Sequence, residues 1–129
     1  MATTQGLGLP KSALIRKPDE YRQLYRRGRR VRGDNFALVY RLVEPSAAAA
    51  AGARLGISVS GVRSAVRRNR IKRLIREFFR LRRPLLHPGL ELIFTVRRDF
   101  KPASPAAIAA ALRGPIAPRR ELAGLELEQ

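Results

Sequence analysis

The sequence predicts a single α+β domain in which helices pack on one small sheet. Its 129 residues are the length of one domain. Three segments alternate apolar and polar residues with the period of two typical of strands, and a longer segment has the 3.6-residue period of a helix. With 45% hydrophobic but only 6% aromatic residues, and no Cys or Trp, the core is expected to be mostly aliphatic and free of disulfides.

The first predicted element is a short amphipathic helix over residues 18–27. A proline and two acids open it, and Gly28 follows as a stop signal. Residues 1–10 lack periodicity and are predicted to be a disordered lead-in. The segment 30–35 either adds a short extra strand or belongs to a loop, and both readings remain open at this point.

Three strands are predicted, at residues 35–43, 54–60 and 90–97. In the first, the alternation places Phe36, Leu38 and Tyr40 on one side of the strand. Residues 44–53, between the first two strands, are rich in Ala but lack a helix cap and an apolar stripe. We therefore predict that this segment is a loop.

The longest predicted helix covers residues 64–81. Ser64 can cap its start, and Pro84 ends the helical pattern. Its apolar residues recur at i, i+3, i+4 and i+7, which is the spacing of a single buried side. They are Ile71, Leu74, Ile75 and Phe78.

A last short helix is predicted over residues 106–113. Ser104 serves as its N-cap, Pro105 as its first residue, and a glycine follows its last residue. The folded domain is accordingly predicted to run over residues 11–114. Residues 115–129, which contain two prolines, are expected to be a frayed tail.

The net charge indicates a polyanionic partner. There are 27 Lys and Arg against 10 Asp and Glu, a formal charge of +17, and so compact a domain is destabilised by that self-repulsion. The excess lies in residues 1–101, because residues 102–129 hold three Arg and three Glu. No apolar run approaches the roughly 18 residues of a membrane span, and no signal peptide follows Met1. We therefore expect a cytoplasmic protein that binds nucleic acid and no membrane.

The long predicted helix carries cations opposite its apolar side. Nine Lys and Arg residues lie between Arg67 and Arg83 with one acid, Glu77, and four of the cations repeat at i+4: Arg68, Lys72, Arg76 and Arg80. Cations about 6 Å apart along a helix suit the phosphates of one nucleic-acid strand. A merely solvated charged side is the alternative, but like charges at i+4 destabilise a helix, which favours a bound partner. The predicted contacts are Arg63, Arg67, Arg68, Asn69, Arg70, Lys72, Arg73 and Arg76.

The sequence offers no centre for metal-dependent cleavage by the protein alone. Such a centre needs clustered carboxylates to hold Mg²⁺, and the seven acids before residue 102 are scattered. His87, the single histidine, lies between prolines without a partner in sequence, and we expect it to be structural or exposed. We predict no catalytic and no metal-binding residue in this chain.

Two runs of sequence closely resemble the protein subunit of bacterial ribonuclease P. They are Leu-Gly-Ile-Ser-Val-Ser at 55–60 and Ala-Val-Arg-Arg-Asn-Arg-Ile-Lys-Arg-Leu-Ile-Arg-Glu at 65–77. The family signature is a Gly-x-Ser-Val-Ser-like strand, a basic turn and an Ala-Val-x-Arg-Asn-Arg-x-Lys-Arg helix. The resemblance extends from Leu14 to Arg98. The turn between the two runs is shorter than the family's by about a residue, so Arg63 alone is expected to supply its RNA contact.

The resemblance implies a fold, a partner and a division of labour. The fold is an α-β-β-β-α-β-α sandwich of helices on a mixed sheet, with a left-handed crossover. The partners are a ribonuclease P RNA, whose bound Mg²⁺ would cut the 5′ leader from precursor transfer RNA, and that leader. The protein would then be an accessory subunit, with no metal of its own and no obligate protein partner. The alternative is a structural ribosomal or RNA-assembly protein without a role in cleavage.

The resemblance also implies a cleft for the single-stranded leader. In the family it lies on the sheet, lined by aromatic residues of the first helix and first strand. The matching residues here are Tyr21, Tyr25, Phe36 and Tyr40. Bases that stack on such rings gain about 1 to 3 kcal/mol each without sequence preference. The alternative is that some of these rings, Phe36 above all, belong to the core.

Overall fold

A computed structural model of the chain describes residues 9–44 and 52–126. Its main elements are α1 (Pro18–Arg27), β1 (Arg29–Arg32), β2 (Phe36–Leu42), β3 (Arg54–Val59), α2 (Ala65–Arg82), β4 (Leu90–Val96) and α3 (Pro105–Ile116). The strands form one sheet in the order β1-β2-β4-β3, in which β1 pairs with β2 and β2 with β4 antiparallel, while β3 pairs with β4 in parallel. The predicted α+β class and element order are confirmed, and the extra short strand is present as β1. The crossover implied by the resemblance corresponds to β3-α2-β4.

Local sequence signals explain where the helices begin and end. Ser64 Oγ accepts a hydrogen bond from the backbone N–H of Arg67 at 3.2 Å, and Ser104 Oγ accepts one from Ala107 at 3.1 Å. α1 ends at Gly28, where a Cβ would lie 2.6 Å from the carbonyl oxygen of Leu24. The predicted caps and the glycine stop of α1 are therefore confirmed.

Most of the core lies on one side of the sheet, which we call the core face. α2, α3 and the C-terminal segment pack there. Phe94 of β4 is central, with its ring centroid 5.9 Å from that of Phe36, 6.2 Å from that of Phe78 and 5.7 Å from that of Phe100. This aromatic cluster joins β2, β4 and α2 into one layer of packed side chains.

The opposite side of the sheet, which we call the α1 face, is covered far less. A small separate cluster of buried residues lies there: Ile15, Leu24, Val39 and Ile93. Tyr21 and Tyr25 pack against it and are only partly buried. The α1 face therefore keeps open surface beside a helix that carries two tyrosines.

The C-terminal segment differs from its prediction. α3 continues past Gly114 to Ile116, and Arg120–Glu126 form a 3₁₀ helix in which Leu122 and Leu125 are fully buried. The prediction of a frayed tail is wrong for residues 115–126, because these two leucines complete the core face. The rest of that tail, residues 127–129, and the predicted lead-in and loop at 1–8 and 45–51 lie outside the described residues.

Candidate nucleic-acid interface

α2 presents its cations on two flanks and an outer side. Ile71, Ile75 and Phe78 are buried against the sheet, as predicted. Leu74, predicted to share that side, is only partly buried. Most of the predicted contact residues are exposed, while Arg68 and Lys72 are of intermediate exposure: the exposed ones are Arg63, Arg67, Asn69, Arg70, Arg73 and Arg76.

Arg68 is tied to the turn that precedes α2. Its Nη1 donates to the carbonyl oxygens of Val62 and Arg63, both at 2.8 Å. The same turn contains Gly61 at φ +78°, a left-handed conformation that glycine adopts without strain. Arg68 therefore braces the shortened turn, and its predicted contact with RNA stays a prediction.

Arg80, at the other end of that row, is neutralised within the helix. Its Nε and Nη2 donate to the two carboxylate oxygens of Glu77 at 2.9 and 2.6 Å. The bidentate pair lowers the pKa of the Glu77 carboxyl, chiefly through the side-chain hydrogen bond. Among the described residues, Lys72 and Arg76 are thus the members of this row that are bonded neither to the turn before α2 nor to Glu77.

Lys72 and Arg76 line a hollow of about 360 Å³ that reaches the α1 face, which we call the Tyr21 hollow. Its other lining residues are Leu14, Ile15, Arg16, Tyr21, Leu55 and Ile57. One flank of α2 thus meets the first helix across the edge strand β3. Sequence spacing alone gave no indication that Arg16 joins these cations.

Tyr21 lies across β3, and a glycine makes room for it. Its hydroxyl accepts a hydrogen bond from the backbone N–H of Ile57 at 3.1 Å, and a Cβ at Gly56 would approach that hydroxyl to 2.9 Å. Burial raises the pKa of the Tyr21 phenol, which the Ile57 backbone partly offsets. The glycine of the Gly-Ile-Ser-Val-Ser motif therefore has a specific role, which is to seat this ring.

Tyr25 is fixed one turn further along α1. Its hydroxyl lies 3.3 Å from Thr95 Oγ1, and its ring centroid is 6.5 Å from that of Tyr21. Beside it lies a hollow of about 230 Å³, the Thr95 hollow, lined by Arg30, Arg32, Gly33, Phe36, Ala37, Thr95 and Arg97. Neither this hollow nor the Tyr21 hollow has an acidic lining residue. The two tyrosines therefore stand between two cationic depressions.

An ion-pair network holds α1 on the sheet. Arg54 Nη1 lies 2.9 Å from Glu20 Oε2 and 3.1 Å from Glu91 Oε2. Arg41 also pairs with Glu91, at 2.8 Å. The hydrogen bond from Arg54 is the main cause of the lowered pKa of the Glu20 carboxyl. These acids seat the helix, and among the described residues no ion pair joins an acid to the cations that line the Tyr21 and Thr95 hollows.

Phe36 and Tyr40 lie on the core face, which corrects their predicted place in the cleft. They are 6% and 1% exposed, and both belong to the main core cluster. The Tyr40 hydroxyl donates to Glu121 Oε2 at 2.9 Å and accepts from Arg119 Nη1 at 3.3 Å. Phe36 borders the Thr95 hollow but packs its ring on Phe94 and Phe100. The alternation of β2 sends both rings away from α1.

Two further observations concern the described residues, 9–44 and 52–126. They contain no group of three or more His, Cys, Asp or Glu that could hold a metal ion. No helix among them is long and apolar enough to cross a membrane. The single histidine, His87, is exposed, and its Nδ1 accepts a hydrogen bond from the backbone N–H of Gly89 at 2.9 Å, which is the structural role expected for it.

The chain is similar to a well-defined set of proteins. The family model described as Ribonuclease P matches residues 9–117. The ribonuclease P protein component of Desulfotalea psychrophila is 45% identical over 105 residues, which cover 81% of this chain and 83% of the relative. The component of Nitrosomonas eutropha is 37% identical over 110 residues, or 84% of this chain and 88% of the relative.

Solved structures show the same similarity. The RNase P protein of Staphylococcus aureus superposes with a TM-score of 0.69 at 26% identity, covering 86% of this chain and 98% of that one. The RNase P protein of Thermotoga maritima gives a TM-score of 0.56 at 22% identity, covering 89% and 97%, and this likeness shows the fold alone.

Proposed function

Because this chain belongs to the ribonuclease P protein component family, we propose that it binds the ribonuclease P RNA and the 5′ leader of precursor transfer RNA, and so promotes 5′ maturation in the cytoplasm. As a member it is a subunit of a ribonucleoprotein endoribonuclease. The observation that best supports the proposed binding is the placement of two cations of α2 in a hollow without an acidic lining residue, beside two half-buried tyrosines on an open sheet face.

The geometry divides the predicted contacts between two partners. Lys72 and Arg76 line the Tyr21 hollow, so we assign them to leader phosphates, together with Tyr21 and Tyr25 as stacking surfaces. The outer side and other flank of α2 are assigned to the ribonuclease P RNA through phosphate contacts. This second set is Arg67, Arg68, Asn69, Arg70 and Arg73 of α2, together with Arg63 of the turn before it.

Each tyrosine ring is suited to stack on a base of a single-stranded RNA, whatever the sequence of that RNA. A ring held at its hydroxyl by Ile57 or Thr95 loses little side-chain entropy when a base stacks on it. The Tyr21 and Thr95 hollows on either side offer cations to the flanking phosphates. Binding of this kind depends on the backbone and on base faces, which every leader possesses.

The chemistry of cleavage is proposed to belong to the RNA. Mg²⁺ held by the partner RNA would activate the attacking water. Residues of this chain would hold the leader and screen repulsion between the two RNA molecules, which is largest when few divalent ions are present. The protein is therefore expected to matter most at low Mg²⁺ concentration.

The test is a reconstituted cleavage reaction. The chain is added to a ribonuclease P RNA at low Mg²⁺, and removal of the 5′ leader from precursor transfer RNA is measured, with the protein freed of RNA as a control. We expect cleavage to be faster with both components and absent with the protein alone. Tight RNA binding without any stimulation would contradict the proposal and favour a structural RNA-assembly protein.

The salt dependence of RNA binding tests the assignment of α2. Affinity falls as salt concentration rises, and Arg70→Ala should make this fall shallower. The magnitude of the slope of log affinity against log salt concentration should decrease by about 0.7 to 0.9, because one phosphate contact is lost. The matched control is the double variant Glu77→Gln with Arg80→Gln, which removes the internal ion pair without changing net charge and should leave the slope unchanged. Equal slopes for Arg70→Ala and the unmodified chain would show that Arg70 does not contact phosphate.

A further inference from the structure

We propose that the hollow between α2 and residues 100–103 accepts a single unstacked base of the partner RNA. This hollow, which we call the Lys101 hollow, lies on the flank of α2 away from Lys72 and Arg76 and is therefore separate from the proposed leader cleft. The proposal rests on the proposed function for the identity of the partner. It adds a site for a nucleobase to a helix otherwise assigned to phosphates.

The Lys101 hollow combines an apolar floor with a cationic rim. Its volume is about 440 Å³, within the range of roughly 300 to 1,000 Å³ that is typical of small-molecule sites. Ile71 and Phe100, 6% and 3% exposed, contribute to the floor together with the partly buried Leu74. The complete lining is Arg67, Arg70, Ile71, Leu74, Phe100, Lys101, Pro102 and Ala103.

The rim is cationic on both sides of the opening. Arg67 and Arg70 come from α2 and Lys101 from the connection between β4 and α3, and none of the eight lining residues is acidic. Arg67 is held toward that connection by a hydrogen bond from its Nη2 to the carbonyl oxygen of Arg98 at 3.4 Å. The nearby Glu77 is paired with Arg80. The charge of the rim is therefore available to an anionic ligand.

These two properties together select the occupant. An apolar floor excludes a phosphate, because burying its charge there is costly, but it accepts the flat face of a base. The cations at the rim then bind the phosphates on either side of that base. A base in a helical stem is already stacked and paired, so the occupant is an unpaired nucleotide turned out of the RNA.

Filling the hollow without altering its charge tests the proposal. Ala103→Leu narrows the Lys101 hollow from an exposed wall position and keeps all three cations, and Ala111→Leu on the exposed side of α3 is the matched control. With ribonuclease P RNA, we expect Ala103→Leu to weaken binding about tenfold, the size of one lost base contact, with the salt slope unchanged. Equal affinity of the two variants would overturn the base site.

Cross-linking identifies the occupant directly. The chain has no cysteine, so Ala103→Cys gives one attachment point for a photoreactive azidophenacyl group. We expect a cross-link to one unpaired nucleotide of the ribonuclease P RNA. Cross-links to a paired stem or to the leader, or none at all, would overturn the proposal.

The outcomes separate this proposal from the proposed function. If the unmodified chain stimulates cleavage while Ala103→Leu binds as tightly as the control, only the base site is wrong. If Ala103→Leu weakens RNA binding and the cross-link forms, but the unmodified chain does not stimulate cleavage, the base site is supported and the role in cleavage is wrong.

Discussion

The two faces of the sheet differ in what covers them and in how they use aromatic rings. On the core face, Phe36, Phe78 and Phe100 surround Phe94, and the hydroxyl of Tyr40 is bonded to the C-terminal segment. On the α1 face, two tyrosines anchor their hydroxyls to the sheet and leave their rings half-buried between cationic hollows. The aromatic rings of the core face are buried and stabilise the fold, whereas the rings of the α1 face stay accessible to a ligand.

This difference follows from the alternation of side chains along each strand. β2 and β4 send consecutive residues to opposite faces, so Leu38 and Phe94 meet the core while Val39 and Ile93 meet α1. Two helices and a C-terminal segment cover the core face, whereas one short helix covers the other, so of the two faces of the sheet the α1 face is the one that keeps open surface of its own.

The largest effect should come from truncating the centre of the core face. Phe94→Ala should lower the free energy of unfolding by about 3 to 5 kcal/mol, because it removes a fully buried ring and leaves a cavity among three others. Urea denaturation measures this loss. Affinity for the leader, measured under conditions where the variant is still folded, should change little. A leader-specific loss of affinity would show that the core face also takes part in leader binding.

A smaller effect is expected on binding at the α1 face. Tyr21→Ala should weaken binding of leader-bearing precursor transfer RNA by about 1 to 3 kcal/mol relative to the mature form, because one stacking surface is lost. Tyr21→Phe is the control, since it keeps the ring and loses only the hydrogen bond with Ile57. Equal losses for precursor and mature transfer RNA would show that Tyr21 does not stack on the leader.

Tyr40 should behave in the opposite way. Tyr40→Phe removes the hydroxyl that bonds Glu121 and Arg119 and should lower the free energy of unfolding by about 1 kcal/mol. Binding assays with precursor and mature transfer RNA should be unaffected, because the ring is 1% exposed on the core face. A selective loss of leader affinity in this variant would show that the Tyr40 hydroxyl takes part in leader binding after all.

The smallest effect concerns the attachment of α1 in acid. The hydrogen bond from Arg54 lowers the pKa of the Glu20 carboxyl below its ordinary value of 4.5. A lowered folded-state pKa means that the pair stabilises the fold above pH 4.5 and that this contribution is lost as the pH falls through the folded pKa. Since the Glu20 side chain is 34% exposed, we expect less than about 1 kcal/mol.

Urea unfolding of the Glu20→Gln variant across that acid range measures this contribution. The variant should be less stable than the unmodified chain above pH 4.5, and the difference should shrink as the pH falls. Parallel pH curves for the two proteins would show that Arg54 does not hold Glu20.

Local signals in the sequence determined the elements and the existence of a cationic helix. The helix signals act through hydrogen bonds to backbone groups three or four residues away, so their effects do not depend on the rest of the fold. These signals are the caps Ser64 and Ser104 and the stop Gly28. The same holds for the side of α2 that carries its apolar residues, which follows from helical spacing. The family motif lies within two adjacent elements and was recognisable for the same reason.

Contacts between residues distant in sequence were decided by the tertiary structure alone. Strand alternation put Phe36 and Tyr40 on one side of β2, but only the packing of α2 and α3 makes that side the core. Leu122 and Leu125 are far along the chain from the strands and α2, yet both belong to the main core cluster, where the C-terminal segment packs on α3. The pairing of Arg68 with the turn and of Arg80 with Glu77 is local, but the hollow that Lys72 and Arg76 share with Tyr21 forms only because segments distant in sequence meet there.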